Sequence, residues 1–143
     1  MNRKVILIDC DGVLTDGRLT IDHTGEKQFK QFHTRDVRAI RELVYNGWEV
    51  YICSVDDWEG IHHFASKVGA EVITTRDKSS LISQFPEYVA VGDDVWDFSL
   101  LFQAAEAYTP YDADPRLFDI EGVTRLDTKG GEGVIAELVR RLV

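Results

Sequence analysis

With 143 residues and 16.3 kDa, the chain has the usual span of one domain, and residues 1–143 are expected to form a single unit. A net charge of −9 opposes general binding to nucleic acid or to an anionic membrane surface, and it requires any anionic substrate to meet local cations. No apolar run approaches the ~20 residues of a membrane-spanning helix, and two cysteines, Cys10 and Cys53, cannot build a disulfide framework, so a reducing cytoplasm is the expected compartment.

The opening MNRKVILIDCDG carries basic residues before an apolar run, but the run stops at acids rather than at a small-residue cleavage site. It therefore reads as a buried strand over Lys4 to Asp9 and not as a secretory leader. Arg18 to Asp22 and Lys27 to Phe32 flank His23-Thr24-Gly25-Glu26, a pattern that predicts a β-hairpin inserted after the first strand. Val37, Ile40, Leu43 and Val44 then recur at helical spacing, with Gly47 placed to end the helix. A strand over Glu49 to Cys53 follows, and a second helix carries Trp58, Ile61, Phe64, Ala65 and Val68 up to Gly69. Further short strands are predicted over Glu71 to Thr74, Tyr88 to Val91 and Ala107 to Thr109, and Gly130-Gly131-Glu132-Gly133 leads into a final amphipathic helix. Asp77, Asp94 and Glu132 fall at predicted helix starts, where a carboxylate can cap free backbone N–H groups. This alternation predicts an α/β, doubly wound, Rossmann-like parallel sheet with the inserted hairpin and no separate cap domain.

The chemistry gathers at the carboxyl ends of those strands, where open α/β sheets bind ligands. The first strand ends in Asp9-Cys10-Asp11-Gly12, and the two-residue period aims Asp9 and Asp11 to one side, with Gly12 permitting a tight turn beside the phosphate position. Two close carboxylates persist together only if a cation neutralises them or one keeps a proton, and both conditions serve phosphoryl transfer. Gly92-Asp93-Asp94-Val95-Trp96-Asp97 follows a later strand, so Asp9 and Asp93 suit a Mg²⁺ site built from hard oxygens. Asp97, four residues on, is placed to orient Asp93 from behind, with Asp94 beside it. Ser54 and Lys78 follow two other strands and could bind the phosphoryl oxygens and balance the charge that develops on them. Taken singly, each piece also fits a turn, a cap or a solvated surface; turn chemistry does not account for all of them in this order.

These residues resemble the four motifs of the haloacid dehalogenase superfamily: Asp9-x-Asp11-Gly12, Ser54, Lys78 and Gly92-Asp93-Asp94-x-x-Asp97. Over nearly the whole chain, Asp9-Cys10-Asp11-Gly12-Val13-Leu14-Thr15-Asp16-Gly17, the hairpin, Phe32-His33-Thr34-Arg35-Asp36 and Gly130-Gly131-Glu132-Gly133 resemble the 3-deoxy-D-manno-octulosonate 8-phosphate phosphatase family. The resemblance implies a Mg²⁺-dependent phosphomonoester hydrolase in which Asp9 is the nucleophile and Asp11 the general acid and base. It also implies metal binding by Asp9, the Asp11 backbone carbonyl and Asp93, a substrate-side place for Arg35, and a capless homotetramer in which neighbours help close each site. Two departures bear on the substrate. Ser54 is followed by Val55-Asp56-Asp57 where the family usually has Gly and Arg, and Asp36 is followed by Val37 where it usually has Gly. Both point away from a strongly anionic sugar acid and towards a neutral sugar phosphate.

Two other classes compete. A receiver-like signalling domain shares the sheet, Mg²⁺, aspartates, hydroxyl and lysine, but would accept phosphate on a middle strand, which here ends at Ser54. A catalytically silent family member acting as an assembly subunit is opposed by intact Asp9, Asp11, Lys78 and Asp93. His23, His33, His62 and His63 lack transition-metal spacing, and Trp48, Trp58 and Trp96 read as core or interface aromatics.

Overall fold

The computed structural model describes residues 3–143, the Gln28 side chain excepted; Met1 and Asn2, which open the basic-then-apolar run, lie outside the described residues. In chain order the elements are β1 (Val5–Asp9), β2 (Thr20–Ile21), β3 (Lys27–Phe29), α1 (Thr34–Tyr45), β4 (Glu49–Ser54), α2 (Glu59–Val68), β5 (Glu71–Thr74), β6 (Val89–Val91), α3 (Phe98–Gln103), β7 (Glu106–Thr109), β8 (Val123–Arg125) and α4 (Val134–Leu142). A six-stranded parallel sheet has the order β5-β4-β1-β6-β7-β8, and β2 pairs with β3 as a separate antiparallel ribbon. The predicted α/β architecture is therefore present. The hairpin strands are shorter than expected, and the edge strand β8 adds to the predicted set, Val-Thr-Arg being too brief to show a period.

Alternation along β1 divides the core. Ile6 and Ile8 pack with Ile40 and Leu43 of α1, Ile61 and Ala65 of α2, and Ile135 and Leu138 of α4. Val5 and Leu7 face the other layer, where Leu81, Phe85, Leu100, Leu101 and Leu117 are buried. Both faces of β1 are covered, so its residues are apolar without interruption until Asp9. The chain winds from β1 outward through β4 and β5, then returns to the other side of β1 for β6, β7 and β8, which places a topological switch between β1 and β6. Gly69 ends α2 in the left-handed conformation, as its position predicts.

The start of α4 corrects one expectation. Glu132 does not cap it. Asp36, fully buried in the first turn of α1, accepts hydrogen bonds through Oδ1 from the backbone N–H groups of Ile135 (2.9 Å) and Ala136 (3.0 Å). A helix is thus capped by a residue far away in sequence, and its Oδ2 is buried with no hydrogen-bond partner among the described residues. Burial pushes the Asp36 carboxyl up to about 6, against the pull of the two N–H groups. A folded-state pKa above the unfolded value means that the protonated form favours folding. This contribution is present below the unfolded pKa and is lost as pH rises through about 6. Asp36→Asn removes the titration. Between about pH 4 and about pH 8 the stability of the wild type relative to the variant should fall by roughly 2 kcal/mol in denaturant titrations; a difference independent of pH would refute it.

Candidate active site

The site is built at the switch between β1 and β6. Beyond Asp9 the chain makes one wide turn over Cys10–Leu14, closed when the Thr15 N–H donates to the Cys10 carbonyl at 3.2 Å. Gly12 has φ 87° and lies against the Asp93 carboxylate, so that a Cβ there would overlap Asp93. Glycine is needed twice over, for the backbone angle and for the approach of the two acidic loops. The C-terminal glycine loop braces the same turn: the Gly131 N–H donates to the Val13 carbonyl at 3.0 Å, and a Cβ on Gly130 would collide with the Gly12 carbonyl.

Lys78 enters from the opposite loop at the head of a short 3-10 turn that Asp77 caps through the Ser79 N–H. Its side chain is only 3% exposed, and its Nζ donates to Asp9 Oδ1 at 2.6 Å and to Asp97 Oδ1 at 2.5 Å. The other oxygen of Asp97 accepts from the backbone N–H groups of Asp93 (3.0 Å) and Asp94 (3.3 Å), while Asp94 caps the next turn through the Val95 N–H. Asp97 thereby holds both Lys78 and the Asp93 loop in place. Burial raises Asp9 well above the carboxylate range, the charge of Asp97 adds to this, and Lys78 opposes it. Asp93 is raised to about 6, first by burial, with the charges of Asp97 and Asp94 adding. Burial on its own would lower Lys78, but the carboxylates of Asp9 and Asp97 outweigh it and hold its pKa raised.

Ligand oxygens of Asp9, Asp93 and Asp97 lie within 4.8 Å of one another. Crowded, partly desolvated carboxylates with a single lysine between them are the donor set a hard divalent cation would relieve. Because both oxygens of Asp97 are already hydrogen-bonded, Asp9 and Asp93 are the pair suited to hold it directly.

A cleft of about 200 Å³ opens over these groups, and Asp9, Asp11, Ser54, Asp56, Lys78 and Asp93 are among its lining residues. Ser54 reaches it from the end of β4, its hydroxyl donating to the Asp56 carbonyl at 2.8 Å. Asp11 is half exposed in the cleft, held by Thr15 Oγ1 (3.2 Å) on one oxygen and by Lys30 Nζ (2.8 Å) on the other. Arg35 lines a different pocket, between α1 and α4, with Arg38, Glu132 and Arg140. His33 is the N-cap of α1, its Nδ1 accepting from the Arg35 N–H. Trp48 and Trp58 pack on the core, whereas Trp96 is exposed at the cleft. Burial pushes the thiols of Cys10 and Cys53 up to about 12, so both behave as apolar filling.

Sequence reasoning missed Thr15, Lys30 and the ion pair between Lys27 and Asp56. Nothing in the spacing of a hairpin lysine to a distant aspartate announces a contact; only the Gly130-Gly131 pair, unusual before a helix, carried a local signal of close approach.

No family model matches the chain. The 3-deoxy-D-manno-octulosonate 8-phosphate phosphatase KdsC of Escherichia coli strain K12 is 31% identical over 148 residues, covering 96% of this chain and 77% of that protein. The chain belongs to the 3-deoxy-D-manno-octulosonate 8-phosphate phosphatase family. The family's phosphatase from Yersinia pestis is 29% identical over 96% of this chain and 78% of its own length. The cobalt-bound family phosphatase from Haemophilus influenzae superposes with a TM-score of 0.88 at 26% identity, over 99% of this chain and 87% of that one. The family phosphatase from Moraxella catarrhalis, solved with magnesium, phosphate and 3-deoxy-D-manno-octulosonate (KDO), has the same fold, with a TM-score of 0.88 at 19% identity over 98% and 85% of the two chains.

Proposed function

We propose that this phosphatase-family chain hydrolyses a sugar phosphate through an aspartyl-phosphate on Asp9, with Mg²⁺ held by Asp9, Asp93 and the Asp11 backbone carbonyl. The observation that carries the reading is the bridge from buried Lys78 to Asp9 and Asp97, which ties the ends of β1 and β6 into one charged centre at the switch point. A carboxylate oxygen of Asp9 attacks phosphorus, the bond to the leaving oxygen breaks, and Asp11 gives that oxygen its proton. Asp11 then takes a proton from the water that attacks the phosphoryl group, and Asp9 is released as the carboxylate. The cation supplies charge neutralisation at the phosphoryl oxygens; Lys78 adds a second positive charge there, and Ser54 a hydroxyl donor. Asp97 keeps Lys78 and Asp93 in register throughout.

The leaving group is read by the wall of Val55 and Asp56, both of which line the cleft. Asp56, itself ion-paired with Lys27, stands where the family usually has a cation, so this wall adds no net positive charge for a sugar carboxylate and a neutral sugar phosphate is favoured over a sugar-acid phosphate. The hairpin leaves Leu19, Ile21 and Phe29 exposed, which supports a homotetramer in which a second copy covers this ribbon and narrows the cleft. The test is phosphate release with Mg²⁺ across sugar phosphates, sugar-acid phosphates and nucleotides. Activity should be highest on neutral sugar phosphates, vanish with chelator and return with added Mg²⁺; chelator-resistant release, or none on any substrate, would sink it.

A further inference from the structure

We infer that Lys30, carried by the hairpin, is the positioning residue that sets the Asp11 carboxyl for proton transfer. This inference rests on the phosphatase reading above and assigns a task within it. Lys30 follows β3, between the exposed residues Phe29 and Gln31, yet its own side chain is 2% exposed while the Asp11 carboxylate it meets is 47% exposed. The stem is therefore threaded inward from a surface ribbon. Its ammonium lies 5.6 Å from the centroid of the Trp58 ring and 2.8 Å from Asp11 Oδ2. Burying an ammonium is costly unless a counter-charge receives it, and here the counter-charge is the carboxylate proposed to move protons.

Thr15 Oγ1 holds the other oxygen, Oδ1, at 3.2 Å, and the same hydroxyl accepts from the backbone N–H groups of Gly12 (3.3 Å) and Gly17 (3.1 Å). Asp11 is thus gripped from two sides, by its own loop and by the hairpin. Lys27, on the same ribbon, is ion-paired with Asp56, which lines the cleft, so two ion pairs join the hairpin to residues of the cleft wall. An acid that must deliver a proton to one oxygen gains from such fixation, since misplacement by about an ångström can cost on the order of 10²-fold in rate.

The experiment separates positioning of Asp11 from a general effect on the site through the leaving group. A sugar alkoxide needs the proton from Asp11; p-nitrophenolate departs without it. Lys30→Met keeps the apolar stem against Trp58 and removes the ammonium. Its kcat/KM, which reports on steps up to formation of the aspartyl-phosphate, is expected to fall about 10²-fold on a sugar phosphate and within about threefold on p-nitrophenyl phosphate. Lys30→Arg should recover most of the loss, and adding Lys30→Met to Asp11→Asn should cost nothing more on the sugar phosphate. Circular dichroism and thermal melting check folding, and Lys30→Gln is read in the same way should the methionine variant unfold. Equal losses on both substrates, or a further full loss in the Asp11→Asn background, overturn the inference. A wild-type protein that releases phosphate from neither substrate overturns the phosphatase reading, and the inference falls with it.

Discussion

Asp9→Asn is expected to reduce Mg²⁺-dependent phosphate release by on the order of 10⁴-fold or more, the scale seen when a nucleophile that works within a concerted group is removed. The amide is close to isosteric, so the cleft keeps its shape. On the proposed mechanism the change removes the negative oxygen that would attack phosphorus and one of the two carboxylates that would hold the cation. Because Lys78 retains Asp97 as a partner at 2.5 Å, folding should survive the change. Acid-quenched wild type, caught during turnover, should carry a phosphoryl group on the peptide containing Asp9, and the variant should carry none. Turnover retained within about tenfold of wild type would remove Asp9 from the chemistry.

Lys78→Met should damage both stability and rate. Its ammonium is the counter-charge for Asp9 and Asp97 in a nearly solvent-free position, and removing one partner of such a group leaves uncompensated buried charge, a loss of about 3–5 kcal/mol. On the proposed mechanism the same ammonium would also balance charge on the phosphoryl group, so kcat should fall by about 10²–10³-fold. The two effects can be told apart with the metal. Added Mg²⁺ supplies positive charge to the same carboxylates and should recover part of the melting temperature of the variant while leaving kcat depressed. A variant as stable as wild type without metal, and active within about tenfold, would show that Lys78 is a bystander.

The acids and the lysine of this centre were readable because each lies at the end of a strand whose apolar run announces itself. Val5 to Ile8 demand burial on both faces, so the first charged residue, Asp9, has to fall at the rim of the sheet. The same logic placed Asp93 after Val89–Val91 and Ser54 at the close of Glu49–Ser54. Arg35 depends on more than local pattern. It sits in the first turn of α1 as its neighbours predict, but the direction of that turn sends it to a pocket shared with Arg140, away from the strand-end cleft of its own chain. Glu132 was a plausible cap on spacing alone, yet the N–H groups at the head of α4 are taken by Asp36.

By itself, then, the amino-acid order determined the layering of the α/β sheet, its helix stops and the row of acids at its carboxyl edge, because these follow from local periodicity and from the burial of continuous apolar runs. Tertiary structure alone decided which side chains meet: Lys78 between Asp9 and Asp97, Lys30 on Asp11, Lys27 on Asp56, Asp36 under α4, and the glycine loop under Gly12. Each of those contacts joins segments distant in sequence. Which of them form depends on strand order and loop direction, and no local propensity encodes either.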